Sequence, residues 1–100
     1  MNKEKIFTNL LNKIKEITTS TDMPKRIALC QEALSLVDHH EQPMEWARLH
    51  NTIGMSLRKN SRGNRAEDLE SAIEHFNLAL NVYTLDNTPP HWAMIQNNLG

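Results

Sequence analysis

The chain has 100 residues, 39% of them hydrophobic and 23% charged, with a formal net charge of −1. This composition excludes collagenous, disulfide-stapled and intrinsically disordered classes, and no apolar run approaches the roughly 18–20 residues needed to span a bilayer. The opening stretch lacks the unbroken apolar segment of a secretion signal, and the single cysteine, Cys30, fits a reducing, cytoplasmic setting.

Hydrophobic spacing is helical from end to end. Ile6, Phe7, Leu10, Leu11, Ile14 and Ile17 recur at steps of three and four, which places them on one face of a helix over 3–18. Thr19-Ser20-Thr21-Asp22 breaks that pattern. Pro24 then suits the first turn of a second helix over 23–39, with Thr21 or Asp22 as N-cap and a stripe of Ile27, Cys30, Ala33, Leu34 and Val37. Pro43 marks a third helix, 44–59, with Trp46, Leu49, Ile53 and Leu57 on its packed face. After Ser61-Arg62-Gly63-Asn64, Asn64 caps a fourth helix over 65–84 with Glu67 at its third position. Its stripe is Leu69, Ala72, Ile73, Phe76, Ala79, Leu80 and Tyr83. Thr88 and Pro89 open a fifth helix, 89–100, carrying Trp92, Ile95 and Leu99.

Charge falls in alternating blocks. Residues 1–26 carry a net +3, 27–47 carry −4, 48–65 carry +5 and 66–88 carry −5. A nucleic-acid binder gathers net basic charge on one face, so no nucleic-acid partner is expected. Arg58 and Lys59 at the end of the third helix, and Glu67, Asp68 and Glu70 at the start of the fourth, complement the local helix dipoles. Lys3, Lys5, Lys13 and Lys15 on the first helix would suit an anionic membrane, but its apolar stripe is explained more simply as the cap of a helical stack. No membrane partner is expected.

The chain repeats itself at a shift of 46 residues. Trp46-Ala47 returns as Trp92-Ala93, Asn51 as Asn97, Gly54 as Gly100, Pro43 as Pro89, Ile27 as Ile73, and Ala33-Leu34 as Ala79-Leu80. Each unit is a helix pair, and a helix pair buries its apolar face only by stacking on a neighbour. The expected fold is therefore all-α: antiparallel helix pairs stacked in one domain over 1–100. An N-terminal helix occupies 1–22, and the repeats occupy 23–60 and 65–100.

Ala72, Phe76 and Ala79 have the spacing of the second helix of tetratricopeptide repeats. Ile53-Gly54 and Leu99-Gly100 resemble the large-small pair of that family's first helix, and Pro89 resembles the proline that closes its unit. The usual unit is about 34 residues, so this one is elongated, as in kinesin light chains. PPHWAMIQNNLG resembles still more the arrays beside caspase-like CHAT proteases of bacteria. Arg26 and Cys30 depart from the pattern in the first unit. The resemblance implies a superhelix whose first helices line a concave groove that holds a partner peptide. Since about three repeats are needed for stability, it also implies a piece of a longer array.

In that groove the expected partner-binding residues are Arg48, Asn51, Met55, Arg58, Asn97 and Asn98. An amide with two donors and an acceptor holds a peptide backbone, but the same asparagines would equally bond between neighbouring helices. The expected function is a non-catalytic protein-interaction module. The alternatives are the sensing segment of a larger effector such as a caspase-like protease, or a self-assembling scaffold joined through Trp92, Ile95 and Leu99. His39, His40, His50, His75 and His91 offer no i,i+4 pair for a helical metal site, and Cys30 lacks an orienting partner. Neither catalysis, metal nor cofactor is expected.

Overall fold

The computed structural model describes residues 2–100, and among these every regular element is helical. The order is α1 (Lys3–Glu16), a single 3-10 turn (Ser20–Asp22), α2 (Met23–Leu34), α3 (Pro43–Lys59), α4 (Arg65–Leu80) and α5 (Pro89–Leu99). Successive helices pack as antiparallel neighbours, giving a slab of 38 × 34 × 18 Å.

Helix starts follow local chemistry. Asn2 caps α1 by accepting from the Lys5 N–H at 2.9 Å, and Asn64 caps α4 by accepting from Glu67 at 3.1 Å. Asp22 occupies the N-cap position of α2 but makes no cap bond; its carboxylate instead accepts from the Thr19 hydroxyl at 2.7 Å.

Three helices end earlier than periodicity predicts. The first stops at Glu16 rather than 18, α2 at Leu34 rather than 39, and α4 at Leu80 rather than 84. The last two stops are 46 residues apart and share a cause. After α2, Asp38 Oδ1 accepts from the N–H groups of His40 and Glu41 at 2.7 and 3.0 Å. After α4, Thr84 Oγ1 accepts from Asn87 N–H at 3.1 Å. Nearer the stops, Leu36, Val37, Asn81 and Val82 bond at i−3, and the Asp38 and Thr84 N–H groups turn to the side chains of Gln42 and Thr88, so the i−4 ladder does not continue. Both loops then close by an i to i−4 bond, from Gln42 N–H to Asp38 C=O at 2.8 Å and from Thr88 N–H to Thr84 C=O at 2.9 Å. Thr88 holds the N-cap position of α5, yet its hydroxyl faces backward and accepts from Thr84 N–H at 2.9 Å. The two N–H donors hold the Asp38 carboxyl below the usual carboxylate range.

Two apolar clusters flank α3. Leu10, Ile14, Cys30, Ala33, Leu49 and Ile53 join α1, α2 and α3. Ala47, Ala72, Phe76, Ala79, Tyr83 and Ile95 join α3, α4 and α5. Being buried on both sides, α3 is the central element. Cys30 is fully buried, and burial pushes its thiol up to about 11, which leaves it protonated and inert.

The α3–α4 contact is the closest. Gly54 faces the Phe76 ring, and a Cβ built at Gly54 would lie 2.5–2.8 Å from three ring carbons. Ala47, Ala72 and Ala79 continue the same seam with small side chains.

Basic side chains lock the helix ends. Arg26, the departure noted in the sequence, donates Nε–H to Ser56 Oγ at 2.6 Å and Nη1–H to Ile17 C=O at 3.2 Å. Lys59 donates to Thr18 C=O, and Arg62 Nε–H to Thr21 C=O at 2.8 Å. Arg65 donates to Arg58 C=O, at the end of α3. Much of the basic block 48–65 thus serves carbonyls that helix ends leave without partners.

Gly54→Ala is expected to cost about 1–3 kcal/mol by overpacking, read as a lower urea midpoint by circular dichroism. Adding Phe76→Leu should recover part of the loss relative to Gly54→Ala alone. Full stability in Gly54→Ala would mean that the close approach does not limit the fold.

Candidate functional site

The six expected groove residues do not form one continuous site. Asn51 is 4% exposed, and its Oδ1 accepts from Asn98 Nδ2 at 3.1 Å. The bond joins α3 to α5, so these two amides take the interhelical role. The repeat alignment pairs Asn51 with Asn97, but Asn98, one residue on, makes the contact, and Asn97 is exposed.

Met55, Arg58 and Asn98 come together with Lys59 and Arg65 around a depression of about 280 Å³. Met55 is half-buried and Arg58 exposed. Arg58 Nη1 donates to Asn98 C=O at 3.0 Å, an acceptor in the last turn of α5. Arg48 stands apart from this group. It lines a smaller depression of about 130 Å³ with Leu11, Ile14, Lys15, Arg26, Leu49 and Thr52, between α1 and α3. A wider depression of about 590 Å³, lined by Lys3, Glu4, Phe7, Thr8, Leu36 and Gln42, includes none of the six.

The expected self-assembly stripe is divided. Ile95 is 0% exposed because it enters the second cluster beside Phe76 and Tyr83, while Trp92 and Leu99 are half-buried. Ile95 is therefore packing within the fold and is not exposed for a contact between copies. The large apolar residues left exposed near α5 are Met94 on α5 itself and Leu69 and Ile73 on α4.

Helical spacing missed one polar cluster. The Nδ1 atoms of His50 on α3 and His75 on α4 lie 2.9 Å apart, so one ring is the donor and the other the neutral acceptor. Trp46 packs edge-on to His50 with ring centroids 4.4 Å apart, and stacks on His39 at 3.8 Å. The sequence does hold a signal for the pair. His50 and His75 lie equally far from the Arg62–Gly63 turn, so an antiparallel hairpin sets them opposite each other, whereas a search within single helices cannot find them. Among the described residues, no group of three or more His, Cys, Asp or Glu is placed to hold a metal ion. No helix of the described residues is long and apolar enough to cross a membrane.

Comparison with known proteins finds no match among protein-family models, curated proteins or solved structures.

Burial, followed by the neighbouring His75 and His39, lowers the His50 pKa from 6.5 to about 4, and burial lowers that of His75. Between those values the unfolded chain binds the proton and the folded chain does not, so stability falls as pH drops from 6.5 toward 4. The His50 contribution is on the order of 2–3 kcal/mol. Thermal unfolding at pH 7 and pH 4.5 should show a smaller acid loss for His50→Gln than for the parent; equal losses would remove His50 as the cause.

Proposed function

We propose that this chain is a non-catalytic protein-interaction module, a tetratricopeptide-like stack that holds a partner peptide across the face formed by α3 and α5. The observation that carries this reading is the depression bounded by Met55, Arg58, Lys59, Arg65 and Asn98. It joins one thioether and one amide to three cations, a set that suits an extended segment with an apolar side chain beside an acidic one. Arg58 and Arg65 each use one nitrogen on a carbonyl, and each guanidinium has five N–H donors, so most of their hydrogen-bonding capacity remains for a carboxylate. Met supplies an adaptable apolar contact. Asn97, exposed on α5, extends the polar surface, and Arg48 offers a second cationic point nearer α1. The inert, buried thiol of Cys30 suits work in a reducing, cytoplasmic setting.

The test is an array of short acidic-apolar peptides read by fluorescence anisotropy. Arg58→Ala and Met55→Glu should each weaken the best peptide at least tenfold with unchanged helicity. Retained binding in both variants would remove this face as the site. Asn51→Ala separates positioning from contact. It strands the Asn98 amide, so it should lower stability by about 1 kcal/mol and affect peptide binding only through the α3–α5 spacing.

A further inference from the structure

The second unit of the 46-residue repeat shows what stacking requires of the first. Leu49 corresponds to Ile95, and both are buried. Arg26 corresponds to Ala72, a fully packed residue of the α3–α4 seam, and Arg48 corresponds to Met94. The second pair thus stacks with uncharged side chains in these two places, whereas the first carries a guanidinium in each. Both departures line one space. The depression of about 130 Å³ where α1, α2 and α3 meet is lined by Lys15, Arg26 and Arg48 together with Leu11, Ile14 and Leu49. No acidic residue lines it.

The guanidinium of Arg26 is held in place. Ser56, 0% exposed, accepts from Arg26 Nε–H at 2.6 Å and donates to Thr52 C=O at 2.7 Å. Of the five guanidinium N–H donors, one serves Ser56 and one serves Ile17 C=O, so most remain free. Arg26 is half-buried, and burial lowers its pKa from the ordinary value, as for a cation partly removed from water. Lys15 and Arg48 stand exposed. The apolar lining is continuous with the core, since Ile14 and Leu49 are buried and Leu11 is half-buried.

We propose that this pocket binds a free, short-chain aliphatic carboxylate. The carboxylate meets the free donors of Arg26, whose planar fork matches two oxygens, and Lys15 and Arg48 add positive charge. The hydrocarbon tail lies on Leu11, Ile14 and Leu49. Size follows from volume: 130 Å³ is the liquid share of about four waters, room for about six non-hydrogen atoms and too little for a stretch of peptide. An inorganic anion would answer the charge but gain nothing from the apolar lining, against which an ion is costly to bury. The pocket shares no lining residue with the Met55 depression. Arg48 alone enters both readings, so the test turns on Arg26 and Lys15.

The experiment is calorimetric titration of the full chain with sodium butyrate at constant ionic strength. One saturable site is expected, with a dissociation constant of about 1 mM or tighter, which lies within the ceiling for so small a ligand. Butyramide keeps the tail without the charge, and inorganic phosphate keeps charge without the tail. Each should bind more weakly than butyrate by about tenfold or more. Lys15→Glu should weaken butyrate by a similar factor, and because Lys15 is exposed the variant should keep its helicity. Arg26→Met should abolish binding. Arg58→Ala and Met55→Glu should leave butyrate affinity unchanged while lowering peptide affinity, so the two readings fail separately. Absence of saturable butyrate binding, or binding indifferent to Lys15→Glu, overturns the proposal. Phosphate bound as tightly as butyrate also overturns it, since that marks an adventitious ion only.

Discussion

The contact of the Phe76 ring with the bare Cα of Gly54 sets the spacing on which the rest of the molecule depends. With no Cβ on α3 at that point, α4 lies close enough for Ala47, Ala72 and Ala79 to be fully packed although each is small. Interiors pack like organic crystals, so a wider separation would leave voids along the seam. The same spacing brings His50 and His75 within hydrogen-bond distance, which two helices held further apart could not do.

Apolar burial supplies the attraction but not the register, because the hydrophobic effect has no direction. Directed bonds fix the register here, many of them from basic side chains to carbonyls at helix ends and in loops. Arg26, Lys59 and Arg62 tie α2, α3 and the α3–α4 turn to the carbonyls that follow α1. Ser61 N–H adds a backbone bond to Ser20 C=O at 3.2 Å. At the other end of the slab, Arg58 reaches an α5 carbonyl, and Asn51 and Asn98 join the two helices. In a stack where each unit touches only its neighbours, such bonds keep successive pairs aligned. They also leave arginines at the surface with donors to spare, so the residues that order the helices are the ones proposed to meet a partner.

Two exposed regions result, with different physics. The α3–α5 face is cationic with one apolar element, and it suits an extended chain. The α4–α5 edge is apolar, with Leu69 and Ile73 partly exposed. Both are consequences of stacking. The first helices of successive units share one side, and Leu69 and Ile73 of α4 stay partly exposed.

The all-α architecture, the five helices and the 46-residue unit were legible in the order of residues, because helical spacing and repeated Pro, Trp, Asn and Gly are local or periodic signals. The Asn64 cap and the dipole-matched charges were legible for the same reason. The ends of α2 and α4 were not, because apolar spacing continues through Val37 and Tyr83 while the Asp38 and Thr84 N–H groups leave the helical ladder for the side chains of Gln42 and Thr88. Of the candidate site, the sequence placed Met55, Arg58 and Asn98 on related faces. Only packing decided that Asn51 would spend its amide on Asn98, that Arg48 would lie apart, and that His50 would meet His75. The physical reason is the separation along the chain. Spacing within a helix is fixed by 3.6 residues per turn, but which side chains meet across helices depends on how closely the backbones approach, and here that is set by one glycine against one aromatic ring.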